Sequence, residues 1–168
     1  GQSLHRILDL ETLLAVIVDK IKLLMNIEGV SVMLLDADTN ELVFHTVLDQ
    51  DQQTIDKLKN YRFPADKGIA GRVVQTGLPA LVDAVLSDPD HFTTVDKSIG
   101  TQTLSLLYAP LKVHDRVIGV LSAKNKKSGP FCKADLNALA TIANTVALSI
   151  DNARAHKKLL ESSRIEKE

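Results

Sequence analysis

Apolar residues at Leu10, Leu13, Leu14, Ile17, Val18, Ile21 and Leu24 recur at steps of three and four, the spacing of one amphipathic helix face. Asp9 stands where an N-cap belongs, with Leu8 and Leu13 spaced around it as a hydrophobic staple. Leu4, Ile7 and Leu8 run into this segment. The pattern therefore predicts a short leading helix to Leu8 and a main helix over about 10–26, or one continuous rod. The character of the chain then changes. Residues 30–35 and 42–48 are β-rich runs separated by Asp and Asn turn chemistry, which predicts a hairpin. Residues 51–60 are polar apart from Ile55, Leu58 and little else, and predict one loose helix. Phe63 precedes Pro64 and is expected to be extended, because a residue before proline avoids the helical region.

Residues 68–77 predict a short helix, with Gly77 as its C-terminal cap and Pro79 two residues beyond. Residues 79–82 predict a short strand. The segment 87–100 is rich in Asp, Thr and Ser and is long for a loop in a compact domain, which itself hints at function. Runs at 103–114 and 116–124 flank Asp115 and predict a second hairpin with a tight turn. From Lys133 a long helix is expected, with Leu136, Leu139, Ile142, Ala143, Val146 and Ile150 on one face and a thinner face of Leu159, Leu160 and Ile165 beyond. Consecutive hairpins imply an antiparallel sheet, so the expected class is α+β, with the long helices mainly on one face.

Composition narrows this picture without redirecting it. Of the 168 residues, 45% are hydrophobic and 24% charged, a balance that supports a packed core and argues against disorder. The formal net charge of −1 predicts no nucleic-acid partner and no direct membrane contact. The densest basic patch, Lys124, Lys126 and Lys127, is expected to be a solvated loop. A single cysteine, Cys132, rules out a disulfide framework within the chain and fits a reducing, cytoplasmic setting. The chain opens on Gly1 rather than Met, which suggests a piece of a longer protein.

Candidate chemistry is sparse. None of His5, His45, His91, His114 and His156 pairs with another at metal-ligand spacing. No Gly-x-Ser-x-Gly elbow occurs, and no two carboxylates are placed by local spacing for acid–base work. Phe131, Cys132, Asp135 and Leu136 have the spacing of a staple and a capping box, so helix initiation accounts for them, with Cys132 at the cap position. Gly68, Ala70 and Gly71 let a helix lie close to the sheet, and its free amides could face an anion. The last helix outlives its core-facing pattern, and the first begins at the chain's edge. Both therefore look like couplers to neighbouring domains.

In order and spacing, the chain resembles the GAF domain over nearly its full length. The residues that carry the likeness begin with Asp9-Leu10-Glu11-Thr12-Leu13-Leu14, Gly68-Ile69-Ala70-Gly71, Thr76-Gly77-Leu78-Pro79 and Asp88-Pro89. Pro110-Leu111, Val117-Ile118-Gly119-Val120-Leu121, Asn125-Lys126, Phe131, Asp135-Leu136 and Ile150-Asp151-Asn152-Ala153 complete them. The resemblance implies a PAS-like, profilin-like antiparallel sheet of five or six strands with core order 2-1-5-4-3. The terminal helices would lie on one face, and the segments 51–77 and 83–103 would cover a pocket on the other. It further implies residues 1–9 as a linker helix, 10–153 as the domain and 154–168 as a coupling helix toward an output domain.

A member of this family is expected to bind a small molecule, to pair as a homodimer through its terminal helices, and to regulate a covalently linked output domain rather than catalyse a reaction. Carried onto this chain, the ligand-binding positions are Ser31, Ile69, Ala70, Phe92, Asp96, Thr103 and Ser122. Cyclic nucleotides are among the candidate ligands, since Asn125, Lys126, Phe131 and Asp135 match the pattern of relatives that bind them. Leu136 stands where those relatives have Glu, Ser122 where they often have an acid, and Ile99 where they often have Thr. No cofactor follows from the resemblance, and a ligand-free dimerisation and coupling module is the alternative.

Overall fold

A computed structural model describes residues 9–83 and 105–167, with side chains to residue 164. The predicted leading helix to Leu8 and the positions Asp88, Pro89, Phe92, Asp96, Ile99 and Thr103 lie outside the described residues. The main N-terminal helix, α1 (Leu10–Met25), starts where its cap predicts: the Thr12 amide donates to Asp9 Oδ1 at 3.1 Å. It stops at Asn26, which takes a left-handed conformation. Its buried positions Leu14, Val18 and Ile21 keep the three-and-four spacing.

β1 (Ile27–Asp36) and β2 (Glu41–Asp49) form the first hairpin, each longer than the apolar run that announced it. A bulge between Val32 and Met33 shifts their pairing. α2 (Gln52–Leu58) follows, and β3 (Arg62–Pro64) pairs with β2 as an edge strand. α3 (Gly68–Thr76) ends at Gly77, whose left-handed backbone supplies the expected cap. β4 (Ala80–Asp83), β5 (Ser105–Val113) and β6 (Arg116–Lys126) complete six strands in the order β3-β2-β1-β6-β5-β4. Apart from the edge strand β3, this is the expected core order. The turn between β5 and β6 uses both His114 and Asp115 at positive φ, rather than Asp115 alone.

α4 (Lys133–Lys167) and α1 cover one face. Leu139, Ala143, Val146, Ala147 and Ile150 of α4 are fully buried against Val30, Val32, Leu107, Ala109, Leu111 and Leu121. The opposite face carries α2 and α3. There Leu58, Phe63, Ala65, Ala70 and Val73 pack on Met33, Leu42, Phe44 and Val120. Period-two alternation divides β1 and β6 between these two layers, which is why both strands read as nearly continuous apolar runs.

Candidate ligand-binding face

Strand register sets out the face beneath α3 in cross-strand rows. One row reads Val47, Ser31, Ser122, Tyr108 and Ala80 across β2, β1, β6, β5 and β4. The next reads Asp49, Gly29, Lys124, Leu106 and Val82. Ser31 and Ser122, 5% and 7% exposed, hydrogen-bond to each other through their hydroxyls. Sequence reasoning placed both in the site, and the sheet makes them direct neighbours. Ile69, at the start of α3, packs with Val82 and Leu106 at the β4–β5 side of these rows. Ala70 packs instead with Met33, Phe44 and Val120. All four positions therefore sit on the face turned away from α1 and α4.

The second row holds the feature the sequence reading missed. Lys124 Nζ lies 2.7 Å from Asp49 Oδ2, with side-chain exposures of 14% and 6%. Gly29 between them makes this possible. A Cβ on Gly29 would stand 2.6 Å from Asp49 Oδ2 and 3.4 Å from Lys124 Cε. The second Asp49 oxygen accepts from the Asp51 amide at 3.0 Å. The pair is thus an almost buried ion pair laid across the sheet floor, where a lost partner would be costly. A signal was available: Lys124 lies two residues beyond Ser122, on the same face of a strand whose residues 117–121 carry no polar side chain, and Asp49 two beyond Val47.

The expectation of a solvated lysine loop is therefore corrected. Lys124 and Lys126 belong to β6 and are ion-paired, and only Lys127 lies exposed in the turn that follows. Lys126 Nζ donates to Asp135 Oδ2 at 2.8 Å, and the Cys132 amide donates to the same oxygen at 2.9 Å. Burial pushes the Asp135 carboxyl up, but the bonds from Lys126 and from the Cys132 amide and thiol outweigh it and hold it below 3.8. Phe131 is buried at 4% exposure beside this start. Lys126 and Asp135 thus clamp the beginning of α4 to the end of β6, and Phe131, Cys132 and Asp135 open the helix as their spacing predicts.

Asn125 closes the rim. Its Oδ1 accepts from the Ser105 amide and its Nδ2 donates to Glu28 Oε2, both at 3.0 Å. It thereby fixes the first residue of β5. On the outer side of the β1–β2 hairpin, a groove is lined by Leu34, Leu35, Asp36, Ala37, Val43, His45 and Arg154. His45 is held below its usual 6.5, chiefly by burial, with Glu11 opposing and Arg154 and Lys59 adding to the effect. Since Glu11 opens α1 and Arg154 lies late on α4, both terminal helices pass this end of the sheet. Among the described residues, no group of three or more His, Cys, Asp or Glu side chains could hold a metal. No described helix is long and apolar enough to cross a membrane.

An antiparallel six-stranded sheet with two long helices on one face and short helices over a polar-floored other face is the α+β architecture of sensory modules. The chain belongs to the GAF domain family, whose sequence model matches residues 9–150. Domains of this family are typical of sensory and regulatory signalling proteins. The chain is 26% identical over 165 residues to "Probable 3',5'-cyclic phosphodiesterase pde-5" of Caenorhabditis elegans. That match covers 94% of this chain and 22% of the relative, so the chain spans about a fifth of that protein's length.

Two solved structures share the fold. The GAF domain from a phosphoenolpyruvate-protein phosphotransferase of Coxiella burnetii superposes with a TM-score of 0.80 at 19% identity, covering 94% of this chain and 91% of that one. Free methionine-R-sulfoxide reductase from Neisseria meningitidis, solved with its substrate, superposes with a TM-score of 0.72 at 24% identity, covering 88% and 81%.

Proposed function

We propose that this chain is a ligand-sensing regulatory domain of a larger cytoplasmic signalling protein. It binds a small molecule over the sheet floor, acts as a homodimer and passes the effect through α1 and α4 to a covalently linked output domain. The observation that carries this is the polar insert in an otherwise apolar face: the Ser31–Ser122 pair and the Asp49–Lys124 pair in adjacent rows. Burying such groups costs free energy, so a sheet selected for stability alone would hold apolar side chains there. Apolar walls with a few converging polar groups are the usual form of a small-molecule site. Phe92, Asp96 and Thr103 complete the site in this proposal, and residues 154–168 form the coupling helix. The domain regulates and does not catalyse. A ligand that prefers one packing of the terminal helices shifts the population between two packings, which the output domain reads.

The test is native mass spectrometry of the purified chain, followed by thermal shift with a metabolite panel that includes 3',5'-cyclic GMP and cyclic AMP. The relative's name puts those two compounds first. A retained mass or a raised melting temperature is expected, and Ser31→Val with Ser122→Val should abolish the response while leaving the fold intact. No retained mass and no response to any compound would rule out ligand sensing.

The second proposal, a ligand-free dimerisation and coupling module, is favoured by the exposed apolar residues of the two long helices. Leu13, Val16 and Leu23 on α1, and Leu148 and Leu159 on α4, are 39%, 47%, 74%, 57% and 69% exposed. In that case the dimer forms without any small molecule.

A further inference from the structure

The cross-strand row that runs through Gly29 carries its charges at one end and its apolar side chains at the other. Asp49, Gly29 and Lys124 lie on β2, β1 and β6, and Leu106 and Val82 follow on β5 and β4. At the charged end, Lys124 Nζ and Asp49 Oδ2 meet at 2.7 Å over Gly29, where a Cβ would stand 2.6 Å from the same oxygen. At the other end, Ile69 closes on Leu106 and Val82 in a small apolar cluster separate from the main core. Neighbouring strands stand about 4.8 Å apart, so this cluster begins one strand from Lys124 and ends about 10 Å from it. Asp49 and Lys124 are the only charged residues of this row and of the Ser31–Ser122 row beside it.

We infer that the ligand of this face is a zwitterion, an α-amino acid with an aliphatic side chain. The inference rests on the ligand-sensing reading above and names the class of molecule that the site takes. The Asp49–Lys124 pair is neutral as a unit and almost covered, with side-chain exposures of 6% and 14%. A ligand with a single negative charge, set beside the pair, lies close to Asp49 as well as to Lys124 and leaves one charge uncompensated under cover, which is costly. A single positive charge meets the same obstacle at Lys124. A molecule that carries both signs on one carbon avoids it, with its carboxylate toward Lys124 and its ammonium toward Asp49. An ammonium has three N–H donors and a carboxylate about four acceptor sites, so each member of an ion pair can hold a further opposite charge. The four charges then alternate in sign around a ring, and the site stays neutral. Of the two hydroxyl hydrogens of Ser31 and Ser122, their mutual bond uses one, and the other is a donor for the ligand carboxylate. An aliphatic side chain spans about one strand spacing, which carries it from the charged end of the row onto Leu106 and the cluster it forms with Ile69 and Val82.

The test is isothermal titration calorimetry of the dialysed 168-residue chain with leucine, isoleucine and valine, each compared with its deamino and its decarboxy analogue. Cyclic GMP and cyclic AMP are titrated in parallel. At least one amino acid is expected to bind, and both of its single-charge analogues at least about tenfold more weakly, the loss of one charge-assisted hydrogen bond. The double variant Asp49→Asn with Lys124→Met removes both charges and nearly keeps the shape. It should remain folded by circular dichroism and bind the amino acid at least about tenfold more weakly. The comparison of analogues needs no substitution and decides the matter even where the variant does not fold. Equal binding of the amino acid and its analogues, or undiminished binding by the folded double variant, would overturn the inference. Binding of a cyclic nucleotide and of no amino acid would overturn it too, and leave ligand sensing standing. No response to any of these compounds or to the wider metabolite panel would overturn both.

Discussion

Replacing Lys124 by Met removes the cation of a pair whose side chains are 14% and 6% exposed, while keeping nearly the same side-chain length over Gly29. Asp49 then stays under cover with one of its two oxygens deprived of its ion partner. The other still accepts from the Asp51 amide. Breaking a fully buried pair on one side costs about 3–5 kcal/mol, and the retained amide bond and residual exposure place this case near the lower end, at about 3 kcal/mol. In a domain of this size that corresponds to a fall in melting temperature of about 6–12 °C. Asp49→Asn should destabilise for the mirror-image reason. The double variant removes both charges and should recover a large part of the loss, giving a coupling energy of about 1–3 kcal/mol in a double-mutant cycle read by urea denaturation. Single variants that cost less than about 0.5 kcal/mol, or that simply add, would refute the claim that the two charges stabilise each other under cover.

Gly119 sits in β6 between Leu34 of β1 and Leu111 of β5, where a Cβ would stand 2.2 Å from the Met33 carbonyl oxygen and 3.1 Å from Leu111 Cδ1. The carbonyl belongs to the strand ladder and cannot retreat, so Gly119→Ala should cost about 3 kcal/mol of unfolding free energy, read by urea denaturation, against almost nothing for a strand glycine with open space. Asp135→Asn should loosen the start of α4 and cost about 1 kcal/mol at neutral pH. Because the folded Asp135 carboxyl is held below 3.8, its contribution is present above that value and is lost as pH falls through its lowered folded value. Thermal melts of the two proteins should therefore converge in acid.

Much of the architecture could be read directly from the chain. The spacing of Leu14, Val18 and Ile21 marked the buried face of α1, and Asp9 marked its start. Gly77 marked the end of α3, and Phe131, Cys132 and Asp135 marked the beginning of α4. Each is a local signal, set within one or two turns by backbone hydrogen bonding and side-chain periodicity. Ser31 and Ser122 were also named, although their separation of 91 residues meant that nothing local could show that they touch.

What only the tertiary structure decided is pairing across the sheet. Lys124 looked like one of three lysines near a turn, and Asp49 fell just past the strand predicted over 42–48. Strand register alone brings them to opposite sides of Gly29, where the missing side chain leaves room for an ion pair. Likewise the edge strand β3 joins β2 over only three residues, too few for a periodic pattern to declare. Local propensity acts over the few residues that share a turn or strand. The charge balance of the floor depends on which distant strands are neighbours, and burial of both faces of the sheet determines that.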